Sequence, residues 1–449
     1  MSHPQNVTIQ QQKLYLGSAG TGVGLAGLLL GVIGLGAAAY YGLGSEDLRK
    51  HFYHSYLFAF TVFLTITLGA IFFILLHHLT RAGWSVTVRR IAEGVSMNIF
   101  LMVILAIPLI PGIESLYHWA HHDAAATDEI IRGRGGWQTM NWFLIRMAAY
   151  FVIWCLLVWF YRRESLRQDQ TGDAKHSLRM EKVGGPGMII FGFSLTFFMF
   201  DWIMGLNSHW FSTIFGVYIF AGSALSFLSV LVLLSLWLQR KGLIGPVINH
   251  EHYHDLGKWM FAFTFFWGYI AFSQYMLIWY ANMPEETQFY IPRQLYGWGI
   301  LTIVLLIVHL LIPFPGMLSR HVKRVNAVLA FWAVWALCSH VLDMYWLIMP
   351  NQWINEIPEK VGDPHLALPS ALPFLIDSTH NIYGLKGEHL DFLERINFAF
   401  QPQAIVVTVG CLVGMAGLYV FVTMRALKGK SLVPLKDPRL LEALKFENI

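Results

Sequence analysis

Ten uninterrupted apolar runs, each about as long as a membrane span, dominate this chain. A hydrocarbon core of ~30 Å is crossed by about 20 residues of α-helix, at 1.5 Å per residue. The runs cover residues 21–42, 55–79, 91–118, 138–161, 187–206, 211–238, 256–281, 293–314, 325–350 and 402–424. Runs of this length and number predict an all-α polytopic membrane protein with ten transmembrane helices.

The composition excludes an ordinary soluble domain. Hydrophobic residues make up 56% of the 449 residues and charged residues 13%, whereas about 25% charged is usual in soluble proteins. No basic run is interleaved with aromatic residues, so nothing favours nucleic acid as a partner. Cys155, Cys338 and Cys411 all lie in apolar runs, without CxxC or CxxCH spacing. We therefore expect no metal site, iron–sulfur cluster or haem c held by this chain itself.

The distribution of Lys and Arg predicts which side of the membrane holds the termini. Ten helices put both termini on one side, and the segments on that side carry 22 of the 31 Lys and Arg residues. The positive-inside rule then places both termini in the cytoplasm. The first 20 residues lead into a full-length helix without a cleavage-like site, so we expect an anchor and not a signal peptide.

Helices 2–5 and 6–9 form two successive sets of four with the same orientation. Each set ends in a helix with an aspartate near its outer end, Asp201 in the first and Asp343 in the second. This order predicts a parallel repeat whose seam is the tight hairpin Asn207–Trp210. The chain then divides into a cytoplasmic N-terminal segment (1–20), helix 1 and its loop (21–54), a first four-helix bundle (55–206), a second four-helix bundle (207–350), a periplasmic segment (351–401), and helix 10 with a cytoplasmic tail (402–449).

Helices 1 and 10 are expected to be peripheral to the two bundles. They carry almost no ionisable groups but contain small-xxx-small pairs, which let a second helix approach closely. The pairs are Gly20/Gly24, Gly27/Gly31 and Gly410/Gly414. They are explained either by packing within this chain or by docking against other subunits.

Ionisable side chains inside the outer halves of the runs mark a candidate site. Such a group costs ~2.5–3.5 kcal/mol at mid-bilayer, so it is functional by default. The group consists of Glu114 and His118, four residues apart on helix 3, Arg146 on helix 4, Asp201 on helix 5, and His340 and Asp343, three residues apart on helix 9. Arg146 is the deepest charge, and we expect it to pair with Glu114 or Asp201. Carboxylate, imidazole and guanidinium at one depth suit either quinol deprotonation or a proton relay, although Glu114 and His118 are equally compatible with snorkelling to the interface.

A second group of ionisable residues lies toward the cytoplasmic end. It consists of His77, His78, Glu93 and His309, which are candidates for a proton pathway. A lone histidine such as His309 is as often a hydrogen-bonded core residue. The HEHYH run at 250–254 has no distant ligand to complete a metal site, and we expect it to be solvated. Hydroxyl and amide side chains lie between the two groups, and most are expected to bond the backbone of their own helices.

Two stretches resemble a known family. LTRAGWSVTVRRIAEG at 79–94 and FMFDWIMGLNSHWFSTIFGVYIFAGS at 198–223, together with the ten-helix layout, are similar to the NrfD-type (polysulfide-reductase-like) membrane subunits of bacterial alternative complex III. The resemblance spans essentially the whole chain. It implies two four-helix bundles flanked by helices 1 and 10, in the bacterial inner membrane.

The resemblance also implies an assembly and its chemistry. The complex would be a quinol:electron-acceptor oxidoreductase of the cytochrome c type, in which this chain is an accessory subunit. Periplasmic partner subunits would hold the iron–sulfur clusters and the haems c. An NrfD-type paralogue is the subunit usually credited with the quinol pocket, so quinol is a possible ligand here rather than an expected one.

Three other functions fit parts of the pattern. A stand-alone secondary transporter would explain paired bundles with polar residues at mid-membrane, but matching Gly- or Pro-broken helices are missing from the two halves. A b-type cytochrome would need facing histidines at one depth, for which His118 and His340 are candidates. A purely structural anchor would use Asp201 and Asp343 only to balance Arg146. Co-purification with haem and iron–sulfur proteins would separate the first hypothesis from these three.

Overall fold

The computed structural model of the chain describes residues 14–245, 247–294, 298–356 and 401–447. This part of the chain contains ten helices that are long and apolar enough to cross a membrane, so the all-α polytopic fold is confirmed. The helices are α1 (Gly20–Leu43), α2 (Glu46–Leu79), α3 (Val86–Leu116), α4 (Met140–Thr171), α5 (Lys175–Leu206), α6 (Phe215–Arg240), α7 (His250–Ala281), α8 (Trp298–Gly316), α9 (Asn326–Gln352) and α10 (Pro402–Leu427).

The ten spans end at two opposite faces of the bundle. We call the face at which α1 begins and α10 ends the terminus face, and the opposite face, at which α2 begins, the far face. The loop predicted at 351–401 joins α9 to α10 at the far face. Apart from its first six residues and Gln401, it lies outside the described residues, as does most of the predicted segment 1–20.

Helix α2 is the centre of the fold. Its most apolar window is 89% buried, and it contacts α3, α5, α6, α9 and α10. It begins at Glu46, nine residues before the start expected from hydropathy; Glu46, Asp47 and Arg49 of its first turn are exposed, and continuous burial begins at His51. Ser45 is extended, and Glu46 and Asp47 place negative charge on the helix N-terminus, which stabilises it.

The two sets of four helices meet through their first members, α2 and α6. Within the first set α2 contacts α3 and α5, and α4 contacts α5; within the second set α6 contacts α7 and α9. The close approach of α2 and α6 depends on Gly69, where a methyl group would come within 2.1 Å of the Ser223 carbonyl oxygen. The second set is therefore packed against the central helix of the first.

Helices α1 and α10 form a glycine-lined pair at the edge of the molecule. A methyl group on Gly27 would lie 2.7 Å from the carbonyl oxygen of Gly417, and one on Gly34 would lie 2.8 Å from the backbone of Gly414. The small residues thus serve packing within the chain. Only 22% of the apolar window of α1 is buried, so most of its surface faces outward.

Proline interrupts helix α3. Pro111 lies in a 3₁₀ turn, Ile107–Gly112, because proline cannot donate the hydrogen bond that continues an α-helix. Helix α3 ends at Leu116, and Tyr117 is extended. The prediction that Glu114 and His118 share one face of a continuous helix is therefore wrong, since His118 begins a separate turn.

The C-terminal tail returns across the terminus face. The backbone of Leu432 donates to the carbonyl of Leu14, and Asp437 forms an ion pair with Arg89 at the start of α3. Farther along, the carbonyl of Phe446 accepts from the Asn249 side chain, which caps α7. The tail therefore ties α3, α7 and α10 together.

Candidate functional site

Asp343 lies in the interior of the second helix set. The residue is completely buried, about 14 Å from the far end of α9 at 1.5 Å per residue. One carboxyl oxygen accepts from the Tyr218 hydroxyl of α6, and the other accepts from the Trp267 indole of α7 over 3.0 Å. No Lys or Arg of the described ranges forms an ion pair with it. A buried carboxyl with two neutral donors and no cation is suited to gaining and losing a proton.

His340 lies one turn earlier on α9, as its spacing from Asp343 predicts. Its Nε2 is 2.8 Å from the Thr65 hydroxyl of α2, and that hydroxyl itself donates to the Thr61 carbonyl. When the one proton of that hydroxyl goes to the carbonyl, the imidazole donates through Nε2 and Nδ1 is left as a bare acceptor. No described group bonds Nδ1. It faces α6 at Gly222, where a methyl group would be 3.1 Å away.

His309 belongs to the same cluster. Its ring stacks on Trp267 with the ring centroids 3.7 Å apart and an angle of 10° between the planes. It is 1% exposed, and neither ring nitrogen has a hydrogen-bond partner. The sequence grouped His309 with the cytoplasmic residues, but the structure places it beside the indole that bonds Asp343.

A π-helical turn, Ile307–Leu311, carries His309 on α8. Pro313 has no N–H to donate to the Val308 carbonyl five residues earlier, so that carbonyl is released from the helix. It accepts instead from the Trp335 indole over 2.6 Å and from the Ser339 hydroxyl over 3.1 Å. Turns of this kind recur at functional sites because they reposition a side chain within a helix.

An apolar cavity of about 260 Å³ adjoins Asp343. Its wall includes Tyr218 and Trp267, the two hydrogen-bond donors of the carboxyl. Gln274 and Thr302 add polar groups to an otherwise apolar lining. Its rim includes exposed aromatic side chains of α7, such as Phe272. The cavity therefore opens at the outward surface of the helix set, where lipid would be.

Arg293, in the loop before α8, was missed by the sequence analysis. It is 2% exposed, and its guanidinium donates to the carbonyl oxygens of Phe289 and Leu347, the latter over 2.7 Å. The Phe289 ring centroid is 3.7 Å from the guanidinium carbon, and the Trp346 ring is 5.0 Å away. Burial lowers the pKa of Arg293 to about 9, so the group stays charged at neutral pH.

Asp201, the corresponding aspartate of the first set, has a different environment. It forms a bidentate ion pair with Arg146 of α4, with both N···O distances 2.8 Å, and accepts a third bond from Tyr150. Asp201 rather than Glu114 is thus the partner of Arg146. The arginine also lies 4.0 Å from the Trp137 ring. Arg146 and Tyr150 together occupy both carboxylate oxygens of Asp201, so this pair is suited to structure rather than to proton transfer.

Glu114 and His118 line a polar cleft of about 200 Å³ at the far face. Partial burial and the neighbouring His121 lower the pKa of His118. The cleft also contains His54, a buried histidine that the sequence analysis missed and whose Nε2 has no partner. His54 and Thr65, the partner of His340, are eleven residues apart on α2, or about 16 Å. His118 and His340 therefore do not face each other as axial haem ligands would.

The cytoplasmic candidates lie under the C-terminal tail. Glu93 is buried in ion pairs with Arg90 and Arg162, His77 bonds the Phe73 carbonyl of its own helix, and both ring nitrogens of His78 lack partners. About 18 Å of α2 separates His77 from Thr65. The intervening hydroxyls bond their own helices, as in Thr67 and Ser229. The described side chains thus form separate clusters, not one continuous hydrogen-bonded chain.

Across the described ranges, no group of three or more His, Cys, Asp and Glu side chains is arranged to hold a metal ion. The chain matches no protein-family model and no curated protein.

Proposed function

We propose that this chain is a membrane subunit of a quinol-oxidising respiratory complex and that its second helix set conducts protons. The observation that carries the proton role is Asp343, a fully buried carboxyl held by Tyr218 and Trp267 without an ion pair. Burying an ionisable group inside a membrane bundle costs free energy, so such a group is taken to have a function. Asp201 gives no comparable support for a proton role, because it forms an ion pair with Arg146.

The assembly part of the proposal comes from the family resemblance of residues 79–94 and 198–223. In it, the chain sits in a bacterial inner membrane with both termini in the cytoplasm. An NrfD-type paralogue would lie beside it, and periplasmic subunits would hold the iron–sulfur clusters and haems c. The terminus face would then be cytoplasmic, and the far face would meet these subunits.

The chemistry of the site is reversible protonation. Asp343 takes up a proton on one carboxyl oxygen and later releases it, while the Tyr218 and Trp267 donors hold the carboxyl in place. Nδ1 of His340 and both ring nitrogens of His309 lack partners among the described residues, so they are positions to which water can hydrogen-bond beside Asp343. Water would have to carry the released proton from this cluster to the polar cleft at the far face or to the terminus face.

The cavity beside Asp343 favours a second role, binding of quinol by this chain itself. Apolar and aromatic side chains line it, and its open rim gives access from the lipid. A quinol ring there would lie against Tyr218 and Trp267, next to a group able to accept its proton. Loss of inhibitor binding to the complex on Gly268→Phe, which narrows the cavity, would support this role; unchanged binding would remove it.

Purification from native membranes tests the assembly. A tagged full-length chain is expected to bring down proteins with haem c absorption and iron–sulfur signals. Purification of the chain alone, with uptake activity for a solute, would support the secondary transporter instead.

Asp343→Asn tests the proton role in the intact complex, reconstituted in vesicles. We expect normal assembly and fewer protons moved per electron. An unchanged proton-to-electron ratio would leave the chain as a structural anchor.

A further inference from the structure

Arg293 carries a buried positive charge that no described carboxylate neutralises. Its described partners are two backbone carbonyls and the faces of two aromatic rings, and its Nε has no partner among the described residues. A buried charge without a counter-ion normally destabilises a protein strongly, so the burial of Arg293 calls for an explanation. A nearby ionisable residue on α9 provides one.

Asp343 is that neighbour. Leu347, whose carbonyl accepts from Arg293, follows Asp343 by four residues on α9, a rise of about 6 Å. Tyr218 lies between the two groups: its hydroxyl donates to Asp343, and its phenol interacts electrostatically with Arg293. The acid and the cation thus share Tyr218 and one turn of α9 as neighbours but make no direct contact.

We propose that Arg293 is a positioning residue that stabilises the negative charge of Asp343 after its proton has left. This inference rests on the proposed proton role of Asp343. A direct salt bridge, such as that of Arg146 with Asp201, occupies the carboxylate oxygens themselves. A cation one turn away, separated by Tyr218, lowers the cost of the charged state while leaving the proton able to return.

The other groups around Asp343 do not supply a permanent charge. The titratable side chains facing it are Tyr218 of α6, His309 of α8 beyond Trp267, and His340 of α9 itself; Tyr290 lies nearer Arg293. At an effective dielectric constant of about 20, a unit charge on the order of 10 Å away shifts a protonation midpoint by about 1 pH unit. Among these groups, Arg293 is the one with a permanent charge.

Infrared spectroscopy of the intact complex tests the inference. The carbonyl stretch of protonated Asp343 is identified by its loss in Asp343→Asn and then followed against pH. In Arg293→Gln we expect the band to persist to a pH about one unit higher than in the wild type. Arg293→Lys should restore the wild-type curve. Arg134→Gln is the control, because Arg134 also donates to a carbonyl near the far face, that of Ser208 in the hairpin between α5 and α6.

Coincident titration curves for Arg293→Gln and the wild type would overturn the inference. If Arg293→Gln does not assemble, the double variant Arg293→Gln/Asp343→Asn is compared with it. Removing both charges should recover assembly, and failure to recover it would also overturn the inference. The proposed function has a separate test. It is wrong if Asp343→Asn leaves the proton-to-electron ratio unchanged, and this outcome is distinguishable because Arg293→Gln can still shift the infrared band.

Discussion

Trp267 contacts Asp343 and His309 at the same time. Its indole N–H donates to the carboxyl over 3.0 Å, and the face of its ring lies against the imidazole at a centroid separation of 3.7 Å. One neutral side chain of α7 thus connects the acid of α9 with the base of α8. The contact fixes the acid and the base relative to each other without adding charge.

Tyr218→Phe should impair the site by removing one of the two donors to Asp343. Loss of a hydrogen bond to a buried group costs ~1–3 kcal/mol, so we expect the thermal unfolding temperature to fall and the proton-to-electron ratio of the complex to fall as well. Tyr253→Phe is the control, since Tyr253 is an equally buried tyrosine of the second set that donates to Gln239, away from Asp343. Equal effects of the two variants on the ratio would show that Tyr218 has no special role.

The sequence was most informative where burial of a group in lipid is expensive. Ten apolar runs located the spans. The charge of Arg146 predicted a partner, Glu114 or Asp201, because a buried guanidinium needs one, and the structure has Asp201 in that place. The three-residue spacing of His340 and Asp343 also put them in one cluster. Tyr218 and Trp267 could not be found in this way, because neutral aromatic residues are common in membrane helices.

The remaining errors have local causes that hydropathy does not report. His309 was assigned to the wrong cluster because its distance from the end of an apolar run does not show which neighbours it meets; only the packing of α8 against α7 shows this. His118 leaves the helix of Glu114 because α3 becomes irregular around Pro111. Arg293 was not singled out, because the sequence does not show that Phe289 and Trp346 cover it.

Arg146→Gln should destabilise the first helix set. The change leaves Asp201 buried with only Tyr150 as a side-chain donor, and removing one partner of a buried ion pair costs ~3–5 kcal/mol. We expect a lower unfolding temperature in detergent and partial recovery in Arg146→Gln/Asp201→Asn, which removes both charges. A double variant no more stable than the single one would show that the loss came from the packing of Arg146 on Trp137 instead.

Gly34→Leu should separate α1 from α10. Atoms added at Gly34 meet the backbone of Gly414 at 2.8 Å, a contact that no side-chain rotation relieves. Disulfide cross-linking between cysteines introduced into α1 and α10 is expected to fall sharply. Gly36→Leu is the control, because its position has open space around it. Loss of cross-linking in both variants would point to a general effect of leucine on insertion.

Asp437→Asn should release the C-terminal tail from the terminus face. Asp437 and Arg89 are both buried, and their ion pair is the contact that fixes the tail to the start of α3. Without the carboxylate, the Arg89 charge has lost its partner, which costs ~3–5 kcal/mol. Because the rest of the fold does not depend on this contact, the expected result is faster proteolytic cleavage of residues 428–447, while the ten spans stay protected.

Glu447→Gln is the control for Asp437→Asn, since it removes one exposed negative charge from the same tail. Its cleavage rate should match that of the wild type. His78 provides a second readout, because it is buried at 2% exposure close to Arg89. If the tail covers this region, modification of His78 by a water-soluble reagent should be faster in Asp437→Asn than in Glu447→Gln. Equal rates would mean that the helices alone exclude water from His78 and that the tail only fastens them together.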